Sequence, residues 1–278
     1  MKLAEGIDEV IALGDFPTPE DAAAYWNEGV AKAPFEDLTY EGGAGQPQAA
    51  RLYRGGDAGT LLYIHGGGWA GGSIALHEPS AAGMALESGW DVLSISYRLA
   101  PAHPYPAGLE DCRAALAWLA AKGGKVAIGG ASAGANLALA TALSTDAELA
   151  GLVLFYGVFG DDFETESYRR HENGPGLTRA RMRELFAMYD PKETRDELIA
   201  PLKADLRGLP PALLVAAEVD VLLSENSAMA QALNSAGVPT QWHVEPGVTH
   251  GFINRGRLVP AANACISRAA TFLRETLK

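Results

Sequence analysis

Two short stretches and two isolated side chains have residue types suited to chemistry. The first stretch is Gly130-Ala131-Ser132-Ala133-Gly134, one hydroxyl set among small residues between an apolar run and an alanine-rich segment. This is G-x-S-x-G at a strand-to-helix turn. There the glycines let strand and helix approach closely while the serine Oγ projects above the sheet. The second stretch is His65-Gly66-Gly67-Gly68-Trp69. Three consecutive glycines free the backbone to turn its N–H groups toward a common point, and with the N–H of Ala133 such a loop makes an oxyanion hole. A phosphate cradle is the rival reading, but neither G-x-x-x-x-G-K-[ST] nor G-x-G-x-x-G spacing is met.

A serine hydroxyl is a poor nucleophile without a base and a carboxylate to orient that base. Of the six histidines, His65 belongs to the glycine loop, His77 and His103 sit at turns, and His171 lies in a polar stretch. His243, in TQWHVEP, falls inside a strand, whereas His250, in PGVTHGF, follows that strand in a Gly-bounded loop. The loop is the better place for a base. For the carboxylate, LLVAAEVDVLLSEN ends a strand at Asp220, with Glu218 and Glu225 as competitors. The order Ser132, Asp220, His250 differs from both common serine-protease orders and matches the order found in α/β hydrolases.

These residues need elements that bring them together. The runs starting at Thr60 and Asp91, KVAIGG, LAGLVLFYG and PALLVAAEVD are short, apolar and bounded by Gly, Pro or Asp. Buried parallel strands read this way. Between them EPSAAGMALESG, GLEDCRAALAWLAAKGG, ANLALATALSTDA and SENSAMAQALNSAG have helical composition and several end at Gly. LVPAANACISRAATFLRETLK reads as a terminal helix, and TPEDAAAYWNEGVAKAP as an N-terminal one. The alternation predicts an α/β fold: a mostly parallel sheet flanked by helices, with ligands at the carboxyl ends of the strands. Two segments fall outside it, residues 1–50 and the polar 159–205, the latter too long for a connecting loop.

The chain has 278 residues, 48% hydrophobic and 20% charged, and a formal charge of −12. The composition is that of a globular protein with a substantial core. Its acidity argues against nucleic acid and against anionic membrane surfaces. No apolar run approaches the ~18 residues of a membrane span. The N-terminal sequence is broken by acidic residues where an export signal needs an apolar core, so a cytoplasmic protein is expected. Cys112 and Cys265 read as core thiols rather than a disulfide framework. No cofactor or metal is expected, since no zinc-type spacing occurs.

HGGGW, YRLAPAHPYPAGLEDC, GASAGANLALA, LPPALLVAAEVDVLLSE and GVPTQWHVEPGVTHGF together resemble the hormone-sensitive-lipase branch of the α/β hydrolases, rich in bacterial carboxylesterases and acetyl esterases. The likeness runs over most of the chain from about residue 50. It implies one α/β-hydrolase domain over 1–278, with a small helical cap built from about 1–45 and 159–205. It further implies Ser132 as nucleophile, His250 as base, Asp220 as orienting acid, and the backbone N–H groups of Gly67, Gly68 and Ala133 as oxyanion donors. The implied activity is hydrolysis of short- to medium-chain acyl esters through an acyl-enzyme.

This chain departs from the family pattern at Ala131 and Ala135, at Ala70-Gly71 after Trp69, and at Val221 after the acid; the small residues suggest a roomier pocket near the oxyanion loop. Trp69, Gly71, Tyr25, Phe186 and Tyr189 are candidate substrate-binding residues, the cap aromatics, with Trp26, having the alternative task of docking the cap on the sheet. The expected partners are an ester and water, with a homodimer by analogy. Rival functions are an amide hydrolase of the kynurenine-formamidase (arylformamidase) type using the same triad, and, more remotely, a non-catalytic binding protein or a lyase on a hydrolase scaffold.

Overall fold

The computed structural model describes residues 2–276. Among them, eight strands form one sheet: β1 (Phe35–Glu41), β2 (Pro47–Tyr53), β3 (Thr60–Ile64), β4 (Asp91–Ile95), β5 (Val126–Ala131), β6 (Leu152–Phe155), β7 (Ala212–Val219) and β8 (Thr240–Thr249). Their order is β1-β2-β4-β3-β5-β6-β7-β8. From β4 to β8 all pairings are parallel, while β1–β2 and β2–β4 are antiparallel.

Helices α1 (Ile7–Leu13), α2 (Pro19–Trp26), α3 (Glu78–Ser88), α4 (Ala107–Ala120), α5 (Ala133–Leu143), α6 (Glu166–Arg170), α7 (Arg179–Tyr189), α8 (Leu223–Ser235) and α9 (Pro260–Thr276) surround the sheet. Successive strand side chains point to opposite faces, so an apolar run covered on both sides feeds two cores. Leu62, Ile64, Ile128, Leu152, Leu154 and Leu214 join α4, α5 and α8 in one. Leu61, Tyr63, Ala127, Val153, Phe155, Leu213 and Val215 join α3 and α9 in the other. Cys112 lies in the first core and Cys265 in the second, both buried and unpaired.

All five expected central strands are present as β3 to β7. Two differences stand out at the N-terminal side. Residues 35–41, assigned above to a cap, form β1 on the sheet edge. β1 exposes most of its residues, so it lacks the apolar run that marks a central strand. The N-terminal helix also stops at Trp26. Thr18 caps it by accepting from the Asp21 N–H, and the chain turns away through Gly29 at φ +75°. Residues 277 and 278 of the expected terminal helix lie outside the described residues. Among the described residues, no helix is long and apolar enough to cross a membrane.

Candidate active site

Ser132, Asp220 and His250 each occupy the first position beyond a parallel strand, after β5, β7 and β8 respectively. Those three strand ends, with β6 between β5 and β7, put the side chains together above the carboxyl edge of the sheet. The Ser132 hydroxyl donates to His250 Nε2 at 2.9 Å, and His250 Nδ1 donates to Asp220 Oδ2 at 2.7 Å. The second oxygen of Asp220 accepts from the Leu222 N–H at 3.1 Å. Ser132 sits at φ 56°, ψ −123°, backbone that an L-residue adopts only when its surroundings enforce it. Gly134 shows the enforcement: a Cβ there would stand 2.1 Å from the Ile64 carbonyl oxygen, so β3 and α5 can close on the turn only over a glycine.

The competing carboxylates are engaged elsewhere. Glu218 accepts from the Gly247 N–H at 2.7 Å across the β7–β8 irregularity. Glu225, on α8, accepts from the Phe159 N–H at 2.7 Å and so pins the chain leaving β6. Its burial pushes its carboxyl up to about 8 against the pull of those N–H groups.

The glycine loop follows β3. Gly67 and Gly68 both have positive φ, and among the described residues nothing accepts from their N–H groups. The Ala133 N–H is the first of α5, where helix geometry leaves it free. Two histidines brace the loop. His65 Nδ1 donates to the Gly66 carbonyl at 2.8 Å and stacks on Tyr97, and burial drives its pKa down to about 4. His77 Nε2 accepts from the Gly66 N–H at 3.2 Å, while its other ring nitrogen lies beside Tyr63 Oη and the Asn254 amide. Burial holds His77 well below the usual histidine range, which keeps Nε2 free to accept.

Asn136 joins the loop to the rest of the site. Its Oδ1 accepts from Trp69 Nε1 at 3.2 Å, and its Nδ2 donates to the carbonyls of Val158 and Ile199. Neither His77 nor Asn136 stands out in the sequence. A histidine in a turn and an asparagine one helical turn past the serine carry no motif, and their roles exist only once three elements meet.

A cavity of about 330 Å³ opens over Ser132. Its walls include Gly66 to Gly68, Tyr156, Val158, Leu177, Met182 and Leu185, with His77, Asn254 and Arg255 beyond. Leu177, Met182 and Leu185 come from the 159–205 insertion, so that segment does line the cavity.

The five residues expected to bind substrate do not line it. Trp69 is buried, stacked on Tyr189 with centroids 4.4 Å apart, and Phe186 meets Trp69 edge-on; the three rings dock α7 onto the glycine loop. Phe186 instead faces a separate open cleft of about 610 Å³, which Ser132 does not reach. Tyr25 packs with Phe16 and Trp26 and under Arg257. Gly71 turns its carbonyl against Gly67, and its neighbour Gly72 lines the cavity in its place. Among the described residues no cluster of three His, Cys, Asp or Glu side chains is placed to hold a metal ion.

Residues 61–254 match a family model described as an alpha/beta hydrolase fold. A carboxylesterase of Mycobacterium tuberculosis, NlhH, is 36% identical over 235 residues, covering 78% of this chain and 74% of its own. An ethyl acetate hydrolase of Pseudomonas putida is 32% identical over 219 residues, 73% of this chain and 69% of its own. Among solved structures, a hyperthermophilic esterase from the archaeon Pyrobaculum calidifontis superposes with a TM-score of 0.90 at 30% identity, over 99% of this chain and 98% of that one.

Proposed function

Because the chain belongs to the alpha/beta hydrolase fold family, and is a carboxylic-ester hydrolase of its hormone-sensitive-lipase-like branch, we propose that Ser132, His250 and Asp220 carry its reaction on short- to medium-chain acyl esters. The observation that supports this reading is the unbroken relay from Ser132 Oγ to His250 Nε2 (2.9 Å) and from His250 Nδ1 to Asp220 (2.7 Å) on the floor of an apolar cavity.

With Nδ1–H committed to Asp220, the imidazole presents Nε2 as the acceptor. Ser132 Oγ transfers its proton there as it attacks the ester carbonyl carbon. The carbonyl π electrons move to oxygen, and that oxyanion takes hydrogen bonds from the N–H groups of Gly67, Gly68 and Ala133. Collapse breaks the bond to the alkoxy oxygen, which leaves as alcohol with the proton from Nε2, and the acyl group stays on Oγ. Water then gives its proton to Nε2, attacks the acyl carbon, and releases the carboxylic acid with Ser132 restored. Val158, Leu177, Met182 and Leu185 supply apolar walls suited to a short acyl chain.

Ser132→Ala removes the only oxygen that forms the covalent bond. Turnover of a neutral ester such as ethyl butyrate should fall by a factor of about 10⁶, with an unchanged circular-dichroism melt. Hydrolysis within tenfold of the parent enzyme would exclude Ser132 as nucleophile.

A further inference from the structure

The cavity over Ser132 contains a charge that ester hydrolysis does not require. Arg255 stands five residues beyond His250, just past a short 3-10 turn at Phe252–Asn254, and lines the same cavity as Ser132. Its guanidinium rests 4.1 Å from the ring centroid of Trp26. Among the described residues, no carboxylate lies within ion-pairing distance and no acceptor takes a hydrogen bond from it. The other arginines nearby are matched: Arg181, also on the cavity wall, pairs with Glu184 at 2.9 Å, and Arg257 with Glu28 at 2.6 Å.

Acidic residues outnumber basic ones 34 to 22 in this chain, so a half-buried arginine with no acid partner is not forced by composition. The aromatic face of Trp26 compensates only part of a guanidinium's lost hydration. Arg255 acts on the titratable side chains of His77 and Tyr156. Burial keeps the first uncharged and the phenol of the second protonated, so neither supplies a negative charge.

We propose that Arg255 forms a carboxylate-binding subsite, so that the preferred substrates are esters carrying a free carboxylate a few bonds from the scissile carbonyl. The subsite rests on the reading of Ser132 as nucleophile, because it is defined by the cavity the two residues share. A planar guanidinium presents two parallel N–H groups that match the two oxygens of a carboxylate. The cavity thereby combines an apolar wall from the insertion with one cation on the segment after His250. The chain's net charge of −12 does not oppose this at short range, since distant surface charges are screened beyond about 8 Å at physiological ionic strength.

Two ester pairs of equal shape test the subsite and show on which side of the scissile bond the carboxylate sits. Monoethyl succinate is compared with ethyl 4-methylpentanoate, and 3-acetoxypropanoate with 3-methylbutyl acetate. In each pair a carboxylate replaces an isopropyl group. At least one carboxylate-bearing ester should show the higher kcat/KM. In Arg255→Met the ratio of charged to neutral kcat/KM should fall ~10- to 100-fold, chiefly through KM, and Arg255→Lys should recover part of it.

If Arg255 only anchors Trp26 and α2, its loss lowers both members of a pair alike and the ratio stays within about twofold. That result, or a neutral preference in both pairs, overturns the subsite while leaving the esterase reading intact. Failure to hydrolyse any of the four esters, or hydrolysis that survives Ser132→Ala, strikes the esterase reading itself.

Discussion

Asp220 and Glu225 are both buried carboxylates near the end of β7, and only geometry separates their roles. Asp220 meets His250 Nδ1, whereas Glu225 meets the backbone of Phe159 and leaves its second oxygen unpartnered. Asp220→Asn offers the imidazole an amide that favours the wrong tautomer, so kcat should drop by a factor of about 10⁴ with little change in KM. Glu225→Gln keeps the acceptor for Phe159 and should change kcat less than about threefold. Steady-state kinetics of the two variants on one ester decide the matter, and the reverse ranking would move the orienting role to Glu225. Trp69, Phe186 and Tyr189 stay out of the cavity over Ser132, because their rings are consumed in packing α7 on the glycine loop.

At the scale of elements, one buried carboxylate ties the β1–β2 hairpin to α4 and to the chain beyond β4, in addition to the β2–β4 strand pairing. Asp111 on α4 accepts from Arg98 Nε (2.9 Å) and the Arg98 N–H beyond β4, from Gln46 and Gln48 around the start of β2, and from the Gly43 N–H in the hairpin turn. Burial alone would raise its pKa, and these donors outweigh it and lower it. Asp111→Ala would leave Arg98 and several donors unmatched, at a cost of about 3–5 kcal/mol in chemical denaturation. The folded fraction should retain its ester turnover, because none of these groups lines the cavity. A loss below 1 kcal/mol would mean that water replaces the carboxylate without penalty. The Arg98 and Asp111 of the motif YRLAPAHPYPAGLEDC thus act in architecture.

For the whole molecule, buried groups set opposing pH dependences, with His65 and His77 on one side and Glu225 on the other. His65 and His77 have folded pKa values below the ordinary 6.5, so the unfolded chain binds more protons at acid pH. Their contribution is present above about 6.5 and is lost as pH falls through their folded values, about 4 for His65. Glu225 has a folded pKa raised from 4.5 to about 8, so its contribution is present below 4.5 and is lost as pH rises through about 8. Between 4.5 and 6.5, His65 and His77, joined by His171 whose pKa burial also lowers, gain with rising pH against one group that loses. The melting temperature should therefore peak near pH 6.5 and decline toward pH 9. Glu225→Gln, which mimics the protonated acid, should flatten the alkaline decline in a calorimetric pH series. An unchanged decline would assign it to other groups.

How far each feature can be read from the chain follows from the range of the forces behind it. Strands β3 to β7 are covered on both faces, so each is an uninterrupted apolar run visible locally, and the glycines at 130 and 134 mark a turn whose sterics are equally local. The order of Ser132, Asp220 and His250, each just past such a run, makes their meeting an expectation of the sequence alone. β1 was not legible because an exposed edge strand needs few apolar residues, and its pairing is decided by β2 and by Asp111 on α4. The cavity wall was not legible for a related reason: an aromatic side chain carries no mark of whether its ring turns to a cavity or to another ring. By itself the sequence determined the sheet, the glycine-bounded turn that carries Ser132 and the strand ends that carry Asp220 and His250. Only the tertiary structure decided that His77 and Asn136 brace the glycine loop, that Leu177, Met182 and Leu185 line the cavity, and that Arg255 enters it without a counter-ion among the described residues. Contacts between residues far apart in the chain depend on how elements pack, and no local pattern records them.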